Sequence, residues 1–220
     1  MDAAEPLNLP WIQHLRRALR DYVVLDLETT ELDPQHDRII QIVALRFRNG
    51  QAVATLERYV NPAPREIPHT IRLKLGLENR PDLLAVIESA SALAEAADEL
   101  RVFLGDDPIV AHNGRFDLSF LRAGLGELKN PTIDTMELAL LLCPELRRHT
   151  LESLRDALGV TQRDIASVWE SAGGATTIDA EFLHNASTDV ALLAVIYLRL
   201  LERWGGFVPT GTCHHSRATS

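Results

Sequence analysis

The chain has 220 residues, of which 46% are hydrophobic, so one sizeable core and a single globular domain are expected. Its 31 acidic residues outnumber 22 basic ones, and the net charge of -9 excludes broad electrostatic wrapping of duplex nucleic acid or of an anionic membrane. A small site that binds a few nucleotides through metal ions stays compatible with this charge. Cys143 and Cys213 show no ligand spacing, which favours a reduced, cytoplasmic protein, with Cys143 as a core residue.

The first half of the chain predicts an antiparallel sheet that follows a short helix. Apolar residues between Trp11 and Leu19 recur at helical spacing, so residues 1–20 are expected to form a helical extension. Three strands are predicted after it, in antiparallel order: Tyr22–Leu27, Ile39–Phe47 and Val53–Val60. The Asn49-Gly50 pair between the second and third strands is typical of a hairpin.

The rest of the chain alternates helices with short strands, which predicts an α/β fold. Ser91 is expected to cap a helix that ends at Leu104. Further elements are predicted as strand Pro108–Ala111, helix Asp117–Ala123, strand Thr132–Ile133, and helices Thr135–Cys143, Thr150–Leu158 and Asn185–Trp204. Residues 160–183 show no clear period, so a mobile loop with some helix is expected there. The tail from residue 207 to residue 220 is expected to be disordered.

Asp26 and Glu28 stand at the end of the first predicted strand, in the stretch VVLDLETTELD. Because side chains alternate along a strand, the two acids should lie on the same face. Adjacent buried anions raise each other's pKa and are costly to desolvate, unless a cation or hydrogen bonds compensate them. The pair therefore predicts a positively charged partner.

Two later acids and one histidine are candidates for the same site. Asp117 follows a predicted strand in VAHNGRFDLSFL, where its simplest role is to cap a helix. Asp189 shares a helical stripe with Leu193 and Ile196, so it faces inward, where a carboxylate needs a partner. Taken alone, His184 is typical of a surface or capping histidine.

These stretches resemble the DEDDh superfamily, the DnaQ-like 3′ to 5′ exonucleases of the ribonuclease H-like fold. The motif Asp-x-Glu-x-Thr matches residues 26–30, His-Asn-x-x-Phe-Asp matches residues 112–117, and His-x4-Asp matches residues 184–189. Asn185 stands where a sister group has tyrosine, so the chain resembles the histidine subclass. The chain departs from the family at Glu31, where glycine is common, and in the length of the 160–183 stretch.

The resemblance implies a fold and a domain boundary. It extends from about residue 22 to residue 201, and an exonuclease domain is expected over residues 21–206. The expected fold is α/β and ribonuclease H-like. Its mixed five-stranded sheet has three antiparallel strands and then two parallel strands, with helices on both sides.

The resemblance also assigns roles to individual residues. It implies two divalent ions, Mg²⁺ or Mn²⁺, and His184 as the general base that takes a proton from the attacking water. The implied metal ligands, which are also catalytic, are Asp26, Glu28, Asp117 and Asp189. The implied contacts with the terminal nucleotide are Thr29, Thr30, Leu32, Asn113 and Phe116. Core packing is an equal alternative for Leu32 and Phe116, and turn bonding for Asn113.

The expected activity is metal-dependent release of nucleoside 5′-monophosphates from 3′ ends of DNA or RNA, single-stranded or frayed. A free enzyme, a polymerase-associated proofreader and a helicase-linked domain are all compatible with the motifs, and no membrane association is expected. A scaffold that lost catalysis is one alternative, but it should show a broken carboxylate set. A phosphotransferase of the haloacid dehalogenase type is another, but Lys74 and Lys129 do not fit its lysine pattern.

Overall fold

The computed structural model describes residues 19–174 and 186–204. Several predictions concern residues outside these ranges. They are the helical extension at residues 1–18, the roles of His184 and Asn185, the environment of Cys213, and the tail at residues 207–220. Cys143 is fully buried in the core, as predicted.

A mixed sheet of five strands forms the centre of the described part of the chain, in the order β3-β2-β1-β4-β5. The strands are β1 (Tyr22–Thr29), β2 (Ile39–Arg48), β3 (Gln51–Tyr59), β4 (Ile109–Ala111) and β5 (Thr132–Asp134). The β1–β2 and β2–β3 pairs are antiparallel, whereas β4 pairs parallel to both β1 and β5. The predicted α/β fold with three antiparallel and two parallel strands is confirmed.

The predicted hairpin connects β2 and β3. Asn49 and Gly50 have φ angles of 52° and 76°, which are the positive values that a tight two-residue hairpin turn requires. Asparagine and glycine adopt this conformation at low cost.

Eight α-helices lie within the described ranges: α1 (His69–Lys74), α2 (Pro81–Ser89), α3 (Leu93–Leu104), α4 (Arg115–Leu125), α5 (Thr135–Leu142), α6 (Leu151–Ala157), α7 (Gln162–Ser171) and α8 (Ala186–Arg203). A 3₁₀ turn, Leu77–Asn79, connects α1 and α2. Within residues 19–174 and 186–204, no helix has both the length and the apolar character needed to span a lipid bilayer.

Two local predictions were wrong. Ser91 does not cap α3, because the capping position is Ala92 and its side chain makes no capping bond. Asp117 is not a cap either, because α4 is preceded by Gly114 and Asp117 lies within its first turn. The helix expected somewhere in the 160–183 stretch is α7, which has ten residues.

Helices cover both faces of the sheet, and the alternation along β1 decides which residues meet them. Val23, Leu25 and Leu27 pack against α3 and α4 in one apolar cluster. Tyr22 and Val24 pack on the opposite face, in the cluster that contains α8. Asp26 and Glu28 continue this second series, so they point to the face that α8 covers.

A small third cluster fixes the position of α1 and α2. Leu77 and Ile87 are buried against Ile40 of β2, and the partly buried Ile71 of α1 and Leu75, which directly follows α1, pack on the same cluster. Because Gln41, the neighbour of Ile40, is paired with Glu28 across the β1–β2 ladder, this cluster places α1 near the end of β1.

Candidate active site

Three carboxylates converge where α8 crosses the end of β1. Asp26, Glu28 and Asp189 each offer one carboxylate oxygen, and these oxygens lie within 4.8 Å of one another. The strand alternation accounts for the first two side chains. Asp189 joins them because it lies in the first turn of α8, whose following residues are buried on the same face of the sheet.

Hydrogen bonds anchor the start of α8 to the sheet. The Ser187 hydroxyl donates to Glu57 of β3 at 2.9 Å, and the Gln41 side-chain amide donates to the same Glu57 oxygen at 2.9 Å. Glu57 therefore connects β2, β3 and α8 beside the acidic group. This link holds the start of α8, and with it Asp189, beside the strands that carry the other acids.

Asp117 is a fourth acid behind this group. Its side chain is buried in the first turn of α4, and its carboxylate accepts hydrogen bonds from its own backbone N–H and from that of Leu27. The negative charge of Asp117 raises the pKa of Asp26, so the two carboxylates are close enough to interact. Asp117 is not among the three acids whose oxygens lie within 4.8 Å.

The four acids lie close together, so their negative charges repel one another when the carboxylates are ionised. Burial raises the pKa of Asp26 well above its ordinary value, and the charges of Asp117, Asp189 and Glu28 raise it further. Burial also raises the pKa of Glu28 to about 7 and that of Asp117 to about 8. A divalent cation would relieve this repulsion, and a group of carboxylate oxygens suits hard cations such as Mg²⁺ and Mn²⁺.

A lysine that the sequence did not suggest reaches the site. The Lys74 ammonium lies 3.4 Å from a carboxylate oxygen of Glu28, and it lowers the pKa of both Glu28 and Asp26. Lys74 is the last residue of α1, a helix that was not predicted. Lys74 reaches Glu28 because apolar residues of this segment pack near Ile40. The sequence around Lys74 carries no local signal for that packing.

The loop after β1 uses the two predicted threonines internally. The Thr29 hydroxyl donates to the carbonyl of Glu31 at 2.6 Å. Thr30 is fully buried, and its hydroxyl donates to Asp37 at 3.2 Å and accepts the backbone N–H of Arg38 at 2.9 Å. Both hydroxyls are therefore engaged in the loop, and the backbone N–H of Thr30 also donates within it, to the carbonyl of Arg38 at 2.8 Å.

Glu31 fits this loop without backbone strain. In the described residues, Asn49 and Asn113 are the non-glycine positions with positive φ, so residue 31 does not need the conformational freedom of glycine.

The remaining predicted contact residues differ in exposure. Leu32 is 80% exposed, which excludes the core-packing alternative for it. Phe116 is half-buried, and its ring centroid lies 5.0 Å from that of Phe120, so Phe116 belongs at least partly to the core. Asn113 is exposed and adopts a left-handed φ of 57°.

Asp134 organises the second motif and was missed at the sequence level. Its carboxylate accepts the backbone N–H groups of Asn113 at 3.1 Å and of Gly114 at 2.8 Å. It also caps α5 by accepting the N–H of Met136 at 2.9 Å. An aspartate between a strand and a helix is a typical N-cap, so the sequence offered this signal.

A cleft of about 580 Å³ opens beside Asp189. Its lining includes His112 of the second motif, Asn113, and the exposed Arg148 with His149 from the segment before α6. Burial lowers the pKa of His112, whose Nδ1 lies 2.9 Å from the Thr135 hydroxyl. The cleft therefore combines an uncharged imidazole, a cation and one of the site carboxylates.

Comparison with known proteins gives consistent matches. A family model described as exonuclease, RNase_T, matches residues 23–164. The PolC-type DNA polymerase III of Halalkalibacterium halodurans is 36% identical over 139 residues, which cover 61% of this chain and 9% of the polymerase. The PolC-type DNA polymerase III of Bacillus subtilis is 36% identical over 144 residues, with 60% and 9% coverage. The chain thus spans less than a tenth of the length of these relatives.

Solved structures share the fold. Exonuclease X in complex with 5′ overhanging duplex DNA superposes with a TM-score of 0.62 at 20% identity, covering 86% of this chain and 95% of that one. E. coli exonuclease I in complex with a dA16 oligonucleotide gives a TM-score of 0.58 at 18% identity, with 83% and 41% coverage. The family model covers more than half of the chain, and we conclude that the chain belongs to the RNase_T exonuclease family, in the DEDDh group of ribonuclease H-like exonucleases.

Proposed function

We propose that this protein is a metal-dependent 3′ to 5′ exonuclease. It hydrolyses the phosphodiester bond at the 3′ end of single-stranded or frayed DNA or RNA and releases nucleoside 5′-monophosphates. The observation that carries the proposal is the convergence of Asp26, Glu28 and Asp189 within 4.8 Å, with the buried Asp117 behind them. Membership of the exonuclease family supports the same activity.

The carboxylates are proposed to hold two Mg²⁺ or Mn²⁺ ions. Asp26 interacts with all three other acids, so it is the residue placed to serve both ions, with Glu28 and Asp189 on one and Asp117 on the other. When bound, the ions supply Lewis acidity toward the phosphate and a lowered pKa for the attacking water. Binding requires the carboxylates to release their protons, because only the ionised form is a ligand.

His184 is proposed as the general base, on the strength of the third motif and of its place five residues before Asp189. For the terminal nucleotide, the exposed Leu32 is proposed to pack on the base, supported by Phe116. Thr29 and Thr30 are proposed to contribute by fixing the loop after β1 that meets the terminal nucleotide. Asn113 offers an exposed amide at the start of α4.

DNA is the favoured substrate, because the solved structures that share the fold include complexes with DNA. Association with a polymerase is proposed from the similarity to PolC-type polymerases. The exonuclease domain is proposed to span residues 21–206, in a cytoplasmic protein that does not associate with membranes.

The two alternatives are less favoured. A scaffold without catalysis does not need four intact acids at one place. A phosphotransferase of the haloacid dehalogenase type would use the first acid, Asp26, as its nucleophile, whereas Lys74 contacts Glu28. Membership of the exonuclease family also opposes this alternative.

The direct test is digestion of matched 5′-labelled DNA and RNA oligomers with Mg²⁺. A ladder that shortens by one nucleotide at a time from the 3′ end is expected, and excess chelator should abolish it. Asp26→Asn should remove activity, whereas Asp106→Asn, an exposed position, should retain it. Full activity of Asp26→Asn, or of the wild type in chelator, would falsify the metal-dependent reaction.

A second variant tests the base. His184→Ala should reduce the rate by roughly 10² to 10⁴, the usual contribution of a general base, while metal affinity hardly changes. The wild-type rate should fall on the acid side as the imidazole becomes protonated. An unchanged rate and pH profile in His184→Ala would show that another group acts as the base.

A further inference from the structure

Lys74 and Glu28 form an ion pair at the edge of the acidic group. The ammonium lies 3.4 Å from the carboxylate, whose side chain is 7% exposed, whereas the Lys74 side chain is 44% exposed. The pair therefore joins an acid fixed in the sheet to a cation that can turn into solvent.

The backbone of Lys74 is held in place. Ile71 of α1 and Leu75, which directly follows Lys74, pack on the cluster around Ile40, which belongs to the strand next to β1. The four-carbon side chain of a lysine is flexible, so its ammonium can leave Glu28 while α1 remains in position. Lys74 thus stays within reach of Glu28 as long as α1 remains packed on this cluster.

We propose that Lys74 and a divalent cation compete for Glu28, so that Lys74 stabilises the metal-free protein and sets the metal concentration at which the site fills. The inference rests on the proposed function, because it requires the acidic group to be a metal site. A dication bound to Glu28 repels a nearby ammonium, and an ammonium on Glu28 repels an approaching dication. The two cations therefore oppose each other at this carboxylate.

Lys74→Met removes the charge and keeps an unbranched side chain. Without its competitor, the metal should bind more tightly, by about two- to fivefold, because the pair is partly exposed and solvent screens it. The metal-free protein should lose stability, with a lower unfolding midpoint by about 1 to 3 °C. Lys74→Arg should keep a cation near Glu28 and remain closer to the wild type.

Lys129→Met is the matched control. Lys129 is exposed and immediately precedes the segment that leads into β5, at the opposite end of the parallel strands from Asp134 and the acids. The substitution changes the net charge by the same amount as Lys74→Met. Lys129→Met should therefore leave the Mn²⁺ affinity and the unfolding midpoint close to those of the wild type.

The experiment is a Mn²⁺ titration of the full chain by calorimetry without nucleic acid, combined with thermal unfolding in chelator and in saturating Mn²⁺. Lys74→Met should bind Mn²⁺ more tightly than both the wild type and Lys129→Met. Its unfolding midpoint should lie below that of the wild type in chelator, and this deficit should vanish or reverse in Mn²⁺.

Equal Mn²⁺ affinity of the wild type and Lys74→Met would overturn the competition and leave the proposed function intact. Weaker binding by Lys74→Met would also overturn it, since Lys74 would then support the metal site. If Lys74→Met raised only the KM for an oligonucleotide, Lys74 would be a phosphate contact and the competition would again be wrong. Failure of the wild type to bind any divalent metal would contradict the proposed function itself.

Discussion

Asp26 and Glu28 oppose the folding of the metal-free protein, although their strand favours it. The apolar residues of β1 are buried on both faces of the sheet, and this burial forces the two acids into the same environment. Protons or metal ions can relieve their repulsion, and because burial raises the pKa of Glu28 to about 7 and that of Asp117 to about 8, we expect protons to do so near neutral pH in the metal-free protein.

The stability of the metal-free protein should therefore fall as the pH rises from about 4 to about 8. The folded state holds protons on Glu28 and Asp117 at pH values where the unfolded chain has released them, so the unfolded state binds fewer protons throughout this window. The expected loss is on the order of a few kcal/mol. With saturating Mn²⁺ the trend should reverse, because the ion binds only the ionised carboxylates.

Thermal unfolding of the chelator-treated protein at several pH values measures this dependence, and Asp26→Asn tests its origin. Asp26 is the acid whose pKa the charges of the other three raise, so asparagine in its place should remove this contribution, flatten the pH dependence and stabilise the metal-free protein at pH 8. Asp106→Asn should behave like the wild type. If Asp26→Asn were less stable than the wild type in chelator at pH 8, repulsion among the acids would not be the cause.

Strand alternation placed Asp26 and Glu28 on one face and helical periodicity turned Asp189 inward, because both are local properties, whereas the ligand role of Asp117 came from the family resemblance alone. The sequence did not predict that Lys74 approaches Glu28, since that contact is made across 46 positions and depends on the packing of α1. It also could not show that Thr30 is committed to Asp37, because the loop closes on itself only in the folded chain.

At the level of elements, Asp134 couples β5 to two helices. Its carboxylate accepts N–H groups from the turn that precedes α4 and from the first turn of α5. Asp117 lies in that first turn of α4, three residues after Gly114. The position of the Asp117 carboxylate therefore depends on Asp134, whose hydrogen bonds among the described residues go to backbone N–H groups and not to the other acids.

Asp134→Ala should lower both stability and activity. It leaves three backbone N–H groups without their acceptor, and the loss of a helix cap together with these bonds is expected to cost about 1 to 3 kcal/mol. Asp134→Asn keeps one carbonyl oxygen and should recover part of the loss. Denaturant unfolding and the kcat of oligonucleotide digestion at saturating metal are the two measurements.

Asn130→Ala is a control for this loss, since Asn130 bonds to backbone carbonyls of residues 105 and 107 at the other end of the strands. It should affect stability without lowering the kcat at saturating metal. A normal kcat in Asp134→Ala would show that Asp134 has a structural role alone.

Elements with clear local signals were predictable, and the starts of α7 and α2, whose bounds were not predicted, also carried helix-start signals. Thr161 and Asp164 form a capping box at the start of α7, and Ile165 with Trp169 supplies its buried face. Pro81 stands at the first position of α2, where proline is favoured. The glycine pair at residues 173–174 follows the end of α7, and it favoured the expectation of a mobile loop with some helix, without bounds for that helix.

On the scale of the whole molecule, the proposed function has an acidic protein act on a polyanion. Several of the basic residues that the sequence offers are already paired: Arg65 with Asp37, Arg72 with Glu78 and Lys74 with Glu28. Arg148 is exposed and lines the cleft beside Asp189. With the proposed metal ions at the acidic group and several nearby cations already paired, recognition of an end is favoured over recognition of a continuous strand.

Binding of a single-stranded oligomer should therefore depend weakly on salt. In a plot of log affinity against log salt concentration, each neutralised phosphate of a single strand contributes a slope of about -0.7. Two or three phosphate contacts therefore give a shallow slope. Arg148→Met should weaken binding and reduce this slope by roughly one contact, whereas Lys129→Met should not. Fluorescence anisotropy with Asp26→Asn protein can measure the slope without digestion.

The same reasoning predicts that a 3′-phosphate or another 3′ block protects an oligomer, whereas a 5′ block has no effect. A circular single strand should resist digestion under conditions where its linear form is degraded, because it offers no terminus to the acidic group. Comparable rates on circular and linear strands, with Mg²⁺ and with Asp26→Asn inactive on both, would mean that the site cuts internal bonds. The proposed recognition of 3′ ends would then be wrong, while the metal-dependent chemistry of the four acids would stand.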